Sequence, residues 1–239
     1  MNAISHDTIK KAILKSQHCQ RNWDLTRQIP KEDLDLIITS ATHCPSKQNV
    51  SHYNLHAITN RELIEKIYAV TKGFQTSNKP ATDGDEMITF GEYEAVGNTQ
   101  ILANLLLVFE RKKVDFSQHD RYAAIRILAN NGKNDPNSDV VIDEKLTLDV
   151  LMMDVHMSVG VAAGYANMTS ALLGYGTGCC TCFQSDKVIE ILNLQDNGPV
   201  LMMGIGFKDP SLPRRVSQTN HDFVFPTFSK NHIDVIYHN

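Results

Sequence analysis

The chain has 239 residues, enough for one large domain or two small ones and for a substantial buried core. Apolar residues make up 42% and charged residues 21%, which excludes collagen-like, wholly disordered and disulfide-scaffold chains. Lysine and arginine number 23 against 27 acidic residues, a formal charge of −4 that leaves no cationic surplus for gripping a nucleic-acid backbone. Five cysteines, three of them crowded at Cys179, Cys180 and Cys182, suit a reducing, cytoplasmic setting better than a secreted disulfide framework. The opening residues lack the basic lead and apolar run of a secretory signal, so none is expected. The stretch from Val155 to Leu173 is interrupted by His156, Ser158, Asn167, Thr169 and Ser170, which predicts a buried helix and no membrane span.

No internal repeat or low-complexity tract is present, so the order of elements carries the signal. Residues 7–16 read as a short first helix. Pro30, then Glu32 and Asp33 in a first turn, then Leu34, Ile37, Ile38 and Ala41 on one face predict a second helix. Pro45 should stop it at Cys44. Tyr53, Leu55 and Ala57 alternate like a strand, and Asn60 offers an N-cap to a helix carrying Leu63, Ile64 and Ile67. Residues 72–92 read as a surface loop, Leu105 to Phe109 as a strand covered on both faces, Tyr122, Ile125 and Leu128 as a helix, and Asn130 to Asp139 as a polar connection. These middle segments, about 72–150, are candidates for a lid. Leu146 to Leu173 reads as one long helix, apolar nearly all round, studded with Gly160, Ala162, Ala163, Gly164 and Ala166. Its small residues permit close packing, either inside the monomer or across a subunit interface. A Gly174-Tyr175-Gly176 turn, a strand near Cys180 to Phe183, a helix through Val188, Ile189 and Leu192, and a strand from Val200 to Gly206 follow. The class is α+β with few strands and one dominant helix.

Among chemical motifs, Gly174-x-Gly176 only begins a dinucleotide fingerprint: its last position is Cys179 and it follows a helix where a strand is required. No Walker loop and no Gly-x-Ser-x-Gly elbow exist. The cysteine cluster lacks paired C-x-x-C spacing, which argues against a metal site and for small apolar side chains on a buried strand. Polar and cationic residues do gather at the ends of elements: Arg21 after the first helix, Ser46, Lys47 and Asn49 after the second, Arg214 and Arg215 after the last strand. Singly each suits a solvated surface. Together they have the chemistry to hold one phosphate and one polar heterocycle, since phosphate takes guanidinium forks and a planar ring edge takes amides and hydroxyls.

Arg21-Asn22-Trp23, the helix ending in Cys44-Pro45-Ser46-Lys47-Gln48-Asn49, the long helix running into Gly174-Tyr175-Gly176-Thr177, Phe183 and the strand ending Gly204-Ile205-Gly206 resemble the FMN-dependent nitroreductase superfamily. The resemblance covers most of the chain and is weakest over 72–150. It implies a single FMN-binding domain over 1–239, a central mixed sheet flanked by helices with a long buried core helix, and a homodimer with FMN at the subunit interface. By position, the family's flavin segment falls on Gln17 to Arg21, with Gln17 replacing an arginine and Cys19 a serine; His18, Cys19 and Arg21 remain to meet phosphate and ribityl oxygens. Pro45, Ser46, Lys47 and Asn49 match the segment beside the isoalloxazine ring, which Ser51-His52-Tyr53 follows in place of the usual Gln-Pro-Trp. Asn98 falls at the pyrimidine edge, Thr181 and the Cys182 N–H beside flavin N5, and Arg214 and Arg215 at the phosphate. The resemblance implies hydride transfer from NADH or NADPH through the flavin to an acceptor such as a nitroaromatic, a quinone or free flavin, with no catalytic side chain. A specialised dehalogenase or flavin-modifying activity and a non-catalytic flavin-binding role are the alternatives.

Overall fold

The computed structural model describes residues 4–71, 74–75, 95–112, 144–194, 198–225, 230 and 233–238. Helix α1 (His6–Ser16) is capped by Ser5, whose hydroxyl accepts the Thr8 N–H. Helix α2 (Lys31–Thr42) starts after Pro30 with Glu32 and Asp33 in its first turn and ends ahead of Pro45. Strand β1 (Tyr53–Ile58) leads into α3 (Arg61–Ala69), whose N-cap is Asn60 as its sequence predicts. Strands β2 (Phe74–Gln75) and β3 (Ala95–Val96) form a separate two-residue pairing. Then come β4 (Leu105–Arg111), the long α4 (Glu144–Leu172), β5 (Gly176–Cys180), α5 (Ser185–Leu192) and β6 (Pro199–Gly206).

The main sheet has the order β1-β4-β6-β5, antiparallel at every pairing. Where a mixed sheet is expected, the parallel component among the described residues is one isolated bridge, Cys19 to Thr177. Central β4 shows why its sequence is a continuous apolar run. Leu105, Leu107 and Phe109 join a core with Ile37, Ala41, Val155, Val159, Ala162 and Ala166, the faces of α2 and α4. Leu106 and Val108 point the other way, into a core with Ile64, Ile67, Val188, Met202 and Trp23. The 72–150 region is therefore not all lid, since β4 is the sheet's interior; the helix around Tyr122 and the connection Asn130 to Asp139 lie outside the described residues.

Helix α4 corrects the expectation of burial all round. One face is sunk in the core, but Met153, Met157, Val161, Tyr165 and Leu172 form an exposed apolar stripe, Met157 at 54% and Tyr165 at 48%. A Cβ added at Gly160 or Gly164 would meet nothing within 4 Å. The small residues of this face are not needed for packing within the protomer.

The expected turn is present at Leu173 and Gly174, where Gly174 takes φ 96°, but strand β5 starts and ends earlier than its sequence suggests, because Gly176 and Gly178 already pair with Gly206 and Gly204. These glycines make room for neighbouring backbone. A Cβ on Gly178 would stand 2.7 Å from the Gln20 carbonyl oxygen, and one on Gly204 would stand 2.0 Å from that of Gln100. The segment after α1 and the 3-10 turn Thr99–Ile101 are thereby laid against this end of the sheet. What resembles a broken dinucleotide fingerprint is a set of close backbone approaches.

Candidate functional site

The arginines predicted from opposite ends of the chain come together, and the reason is a line of side chain to backbone bonds. Asn22, fully buried, donates through Nδ2 to the Pro213 carbonyl at 2.5 Å. The Trp23 N–H donates to Gln218 Oε1 at 3.1 Å, its indole N–H donates to the Thr99 carbonyl at 2.8 Å, and the Asp24 N–H donates to the Phe207 carbonyl at 2.9 Å. Residues 21–24 are thus fastened along the chain that leaves β6. Arg214 Nη1 crosses to the Cys19 carbonyl at 2.9 Å, Arg215 Nη1 donates to the Phe225 carbonyl at 3.3 Å, and the Arg21 guanidinium lies 4.7 Å from the Phe225 ring centroid. Burial, then repulsion from Arg214 and Arg215, pulls the Arg21 pKa below its ordinary value. The Arg21 guanidinium thus lies within electrostatic reach of Arg214 and Arg215, a grouping whose chemistry suits an anion. Asn22 and Trp23, which help position these groups, belong to the Arg21-Asn22-Trp23 motif of the resemblance without a role read for them, and Phe225 has no motif signal.

His18 and Cys19 are exposed on the same segment. Gln20 is buried and turned inward, its Nε2 donating to the Asn22 carbonyl at 2.7 Å. At the end of β5, Thr181 and Cys182 are exposed while Cys180 is buried at 2%. The expectation of three apolar cysteines on a buried strand thus holds for Cys180 alone, since Cys179 is also exposed. The Cys182 N–H, expected beside flavin N5, donates to Cys180 Sγ at 3.4 Å. Asn98 is 2% exposed and committed to its own turn: Oδ1 accepts the Gln100 N–H at 3.1 Å and Nδ2 donates to Gln100 Oε1 at 2.8 Å. Its amide backs the site and faces away from solvent.

The segment Pro45 to Asn49 belongs to a different place on the protomer. Pro45 and Asn49 are exposed, Ser46 and Lys47 half-buried, and Ser46 Oγ accepts the Ser51 N–H at 2.9 Å. Asn49 and Ser51 both adopt left-handed backbone, φ 60° and 52°; asparagine accepts this conformation readily, whereas at Ser51 it costs roughly 1 to 2 kcal/mol. The loop is anchored through buried His52, whose Nδ1 shares a hydrogen bond with Ser158 Oγ of α4 at 3.2 Å. The arginine side is anchored further along the same helix, where Asn167 Nδ2 donates to the Ser16 carbonyl and Asn167 Oδ1 accepts from Thr177. Ser158 to Asn167 is roughly 14 Å of helix axis at 1.5 Å per residue. The two groups of predicted ligands are therefore anchored to α4 at separate points along its length. Among the described residues no group of three or more metal-ligating side chains occurs, and no helix is long and apolar enough to cross a membrane.

Residues 14–207 match the sequence model of the nitroreductase family. A provisionally named NAD(P)H nitroreductase of Staphylococcus saprophyticus is 21% identical over 224 residues, covering 87% of this chain and 92% of that protein. The structure of NfrA2 from B. megaterium superposes with a TM-score of 0.56 at 19% identity, covering 87% of this chain and 72% of that one. The crystal structure of a Staphylococcus epidermidis protein, provisionally titled an NAD(P)H:FMN oxidoreductase, superposes at 0.54 with 17% identity, covering 87% and 90%.

Proposed function

The chain belongs to the nitroreductase family and is an oxidoreductase, and from that premise we propose that it carries electrons from NADH or NADPH, by way of bound FMN, to a small oxidised acceptor. The observation that carries this reading is the convergence of Arg21, Arg214 and Arg215, whose chemistry fits a phosphate monoester at the end of a flavin. Bound there, FMN supplies hydride acceptance and release at one ring position. The chain's own groups do the rest. Arg21, Arg214 and Arg215 would hold the phosphate, and His18 and Cys19 would serve the ribityl chain. Thr181 and the Cys182 peptide would meet the ring, and no side-chain acid or base is required. NAD(P)H and acceptor take turns in one cleft, so kinetics are ping-pong.

The site is completed by a second copy of the chain. The α4 stripe and the open space at Gly160 and Gly164 are what a close helix contact between protomers needs, and a contiguous apolar face of this kind marks an interface. Across it, the partner's Ser46, Lys47 and Asn49 reach the arginine side of this protomer, which these residues do not reach within one chain. Nitroaromatics, quinones and free flavin are the acceptor classes of this reading, which places the protein in the cytoplasm. Acid extraction of the purified protein should release FMN, and NADH or NADPH should be oxidised steadily once an acceptor is added. Protein that carries no flavin and binds none from solution refutes the reading.

A further inference from the structure

We propose that Cys180 is a positioning residue: its buried sulfur clamps the Cys182 N–H and thereby sets the orientation of the peptide that borders the cleft. The inference deepens the flavin reading above and rests on it for its consequence in the holoenzyme.

The clamp is built from the inside outwards. Cys180 ends β5 and its side chain sits in the core with Val188 and Met202. Beyond it the chain turns back, so that the Cys182 N–H donates to Cys180 Sγ at 3.4 Å and the thiol lies 3.8 Å from the Cys182 carbonyl oxygen, to which it donates. The clamp therefore runs from a side chain held in the core to an exposed peptide.

Sulfur suits this place for a chemical reason. Burial pushes the Cys180 thiol up to about 11, so it is neutral at physiological pH and both accepts the N–H and gives its proton to the carbonyl. A thiol is also a weak acceptor, so the Cys182 N–H keeps donor capacity for a second acceptor on the cleft side. Alanine removes the clamp, while serine keeps a donor and an acceptor at the same position.

The test compares Cys180→Ala and Cys180→Ser in the full chain. In flavin-free protein, the exchange rate of the Cys182 amide should rise about three- to tenfold in the alanine variant and return to within about twofold of wild type in the serine variant. In FMN-loaded protein, the ratio of affinities for oxidised and reduced flavin should change severalfold with alanine and recover with serine. Cys180→Val, which fills the same space without a hydrogen-bonding sulfur, should move Cys182 exchange in the same direction as alanine and serves where Cys180→Ala does not fold. Unchanged Cys182 exchange in the alanine variant overturns the proposal, as does equal acceleration throughout β5 and β6 in both cysteine variants, which would mark Cys180 as packing only. Failure of wild type to bind FMN would overturn the flavin reading instead, while the exchange comparison would still decide the clamp.

Discussion

Replacing Gly160 and Gly164 by leucine separates the protomer from the proposed dimer. Both glycines lie on the exposed stripe of α4, and a Cβ at either meets nothing within 4 Å in the protomer. Within one chain the change costs no overpacking, and removing two glycines from a helix interior favours helix by about 0.8 to 1 kcal/mol each. Across a helix contact the outcome reverses. Helices packed through glycine leave no room for a leucine side chain, and overpacking costs roughly 1 to 3 kcal/mol per inserted chain. Two sites per protomer then give about 2 to 6 kcal/mol, a weakening of at least about thirtyfold. Sedimentation velocity at micromolar concentration, with flavin absorbance recorded alongside protein, reads both quantities. The expected result is a folded monomer, with undiminished helical circular dichroism, that has lost its FMN. A double variant that stays dimeric, or a monomer that keeps full FMN, would show that this face is not the interface and that the cleft is not shared.

Asn22→Ala should weaken FMN binding about five- to a hundredfold without removing any proposed ligand, because the buried amide that ties residues 21–24 to Pro213 contributes roughly 1 to 3 kcal/mol; isothermal titration measures it, and unchanged affinity would mean that the arginines hold their positions without it. Ser51→Gly should raise stability by roughly 1 kcal/mol, since glycine takes the left-handed backbone at φ 52° without strain; a loss of stability in urea unfolding would show that the hydroxyl outweighs the strain. Tyr175 donates to Asp33 Oδ2, and burial, then that bond, raise the phenol above its ordinary value of 10.0. A group raised on folding contributes stability that is complete below the unfolded pKa and is lost as pH rises past it. Tyr175→Phe should therefore be less stable than wild type at pH 8, with the gap narrowing above pH 10; a gap that stays constant to high pH would contradict the assignment.

The elements were legible where local chemistry is strong. Asn60 names its helix start, Pro45 the end of α2, and the unbroken run from Leu105 names a strand covered on both sides. Reading failed where tertiary contact overrides local pattern. Gly176 reads as part of a turn but serves strand pairing, where Gln20 packs close against it. Helix α4 is apolar all round, a pattern that does not separate burial in a core from burial against another chain. At the site, the residue types for anion binding were legible at Arg21, Arg214 and Arg215. Their convergence follows from the family resemblance and not from local pattern, because it depends on Asn22 and Trp23 meeting a segment almost two hundred residues away. Asn98 was placed by position at a ligand edge, and the Gln100 contacts that turn it inward have no sequence signature.

The most direct test of the central claim is the ratio of FMN to riboflavin affinity in wild type, Arg21→Ala and Arg215→Ala. A charge-assisted guanidinium contact is worth roughly 1.5 to 3 kcal/mol, so each substitution should weaken FMN binding by about ten- to a hundredfold. Riboflavin, which lacks the phosphate, should bind nearly as before, and added salt should weaken FMN binding more in wild type than in either variant. If both variants leave the FMN to riboflavin ratio untouched, the three arginines do not hold a flavin phosphate and the assignment of the site fails.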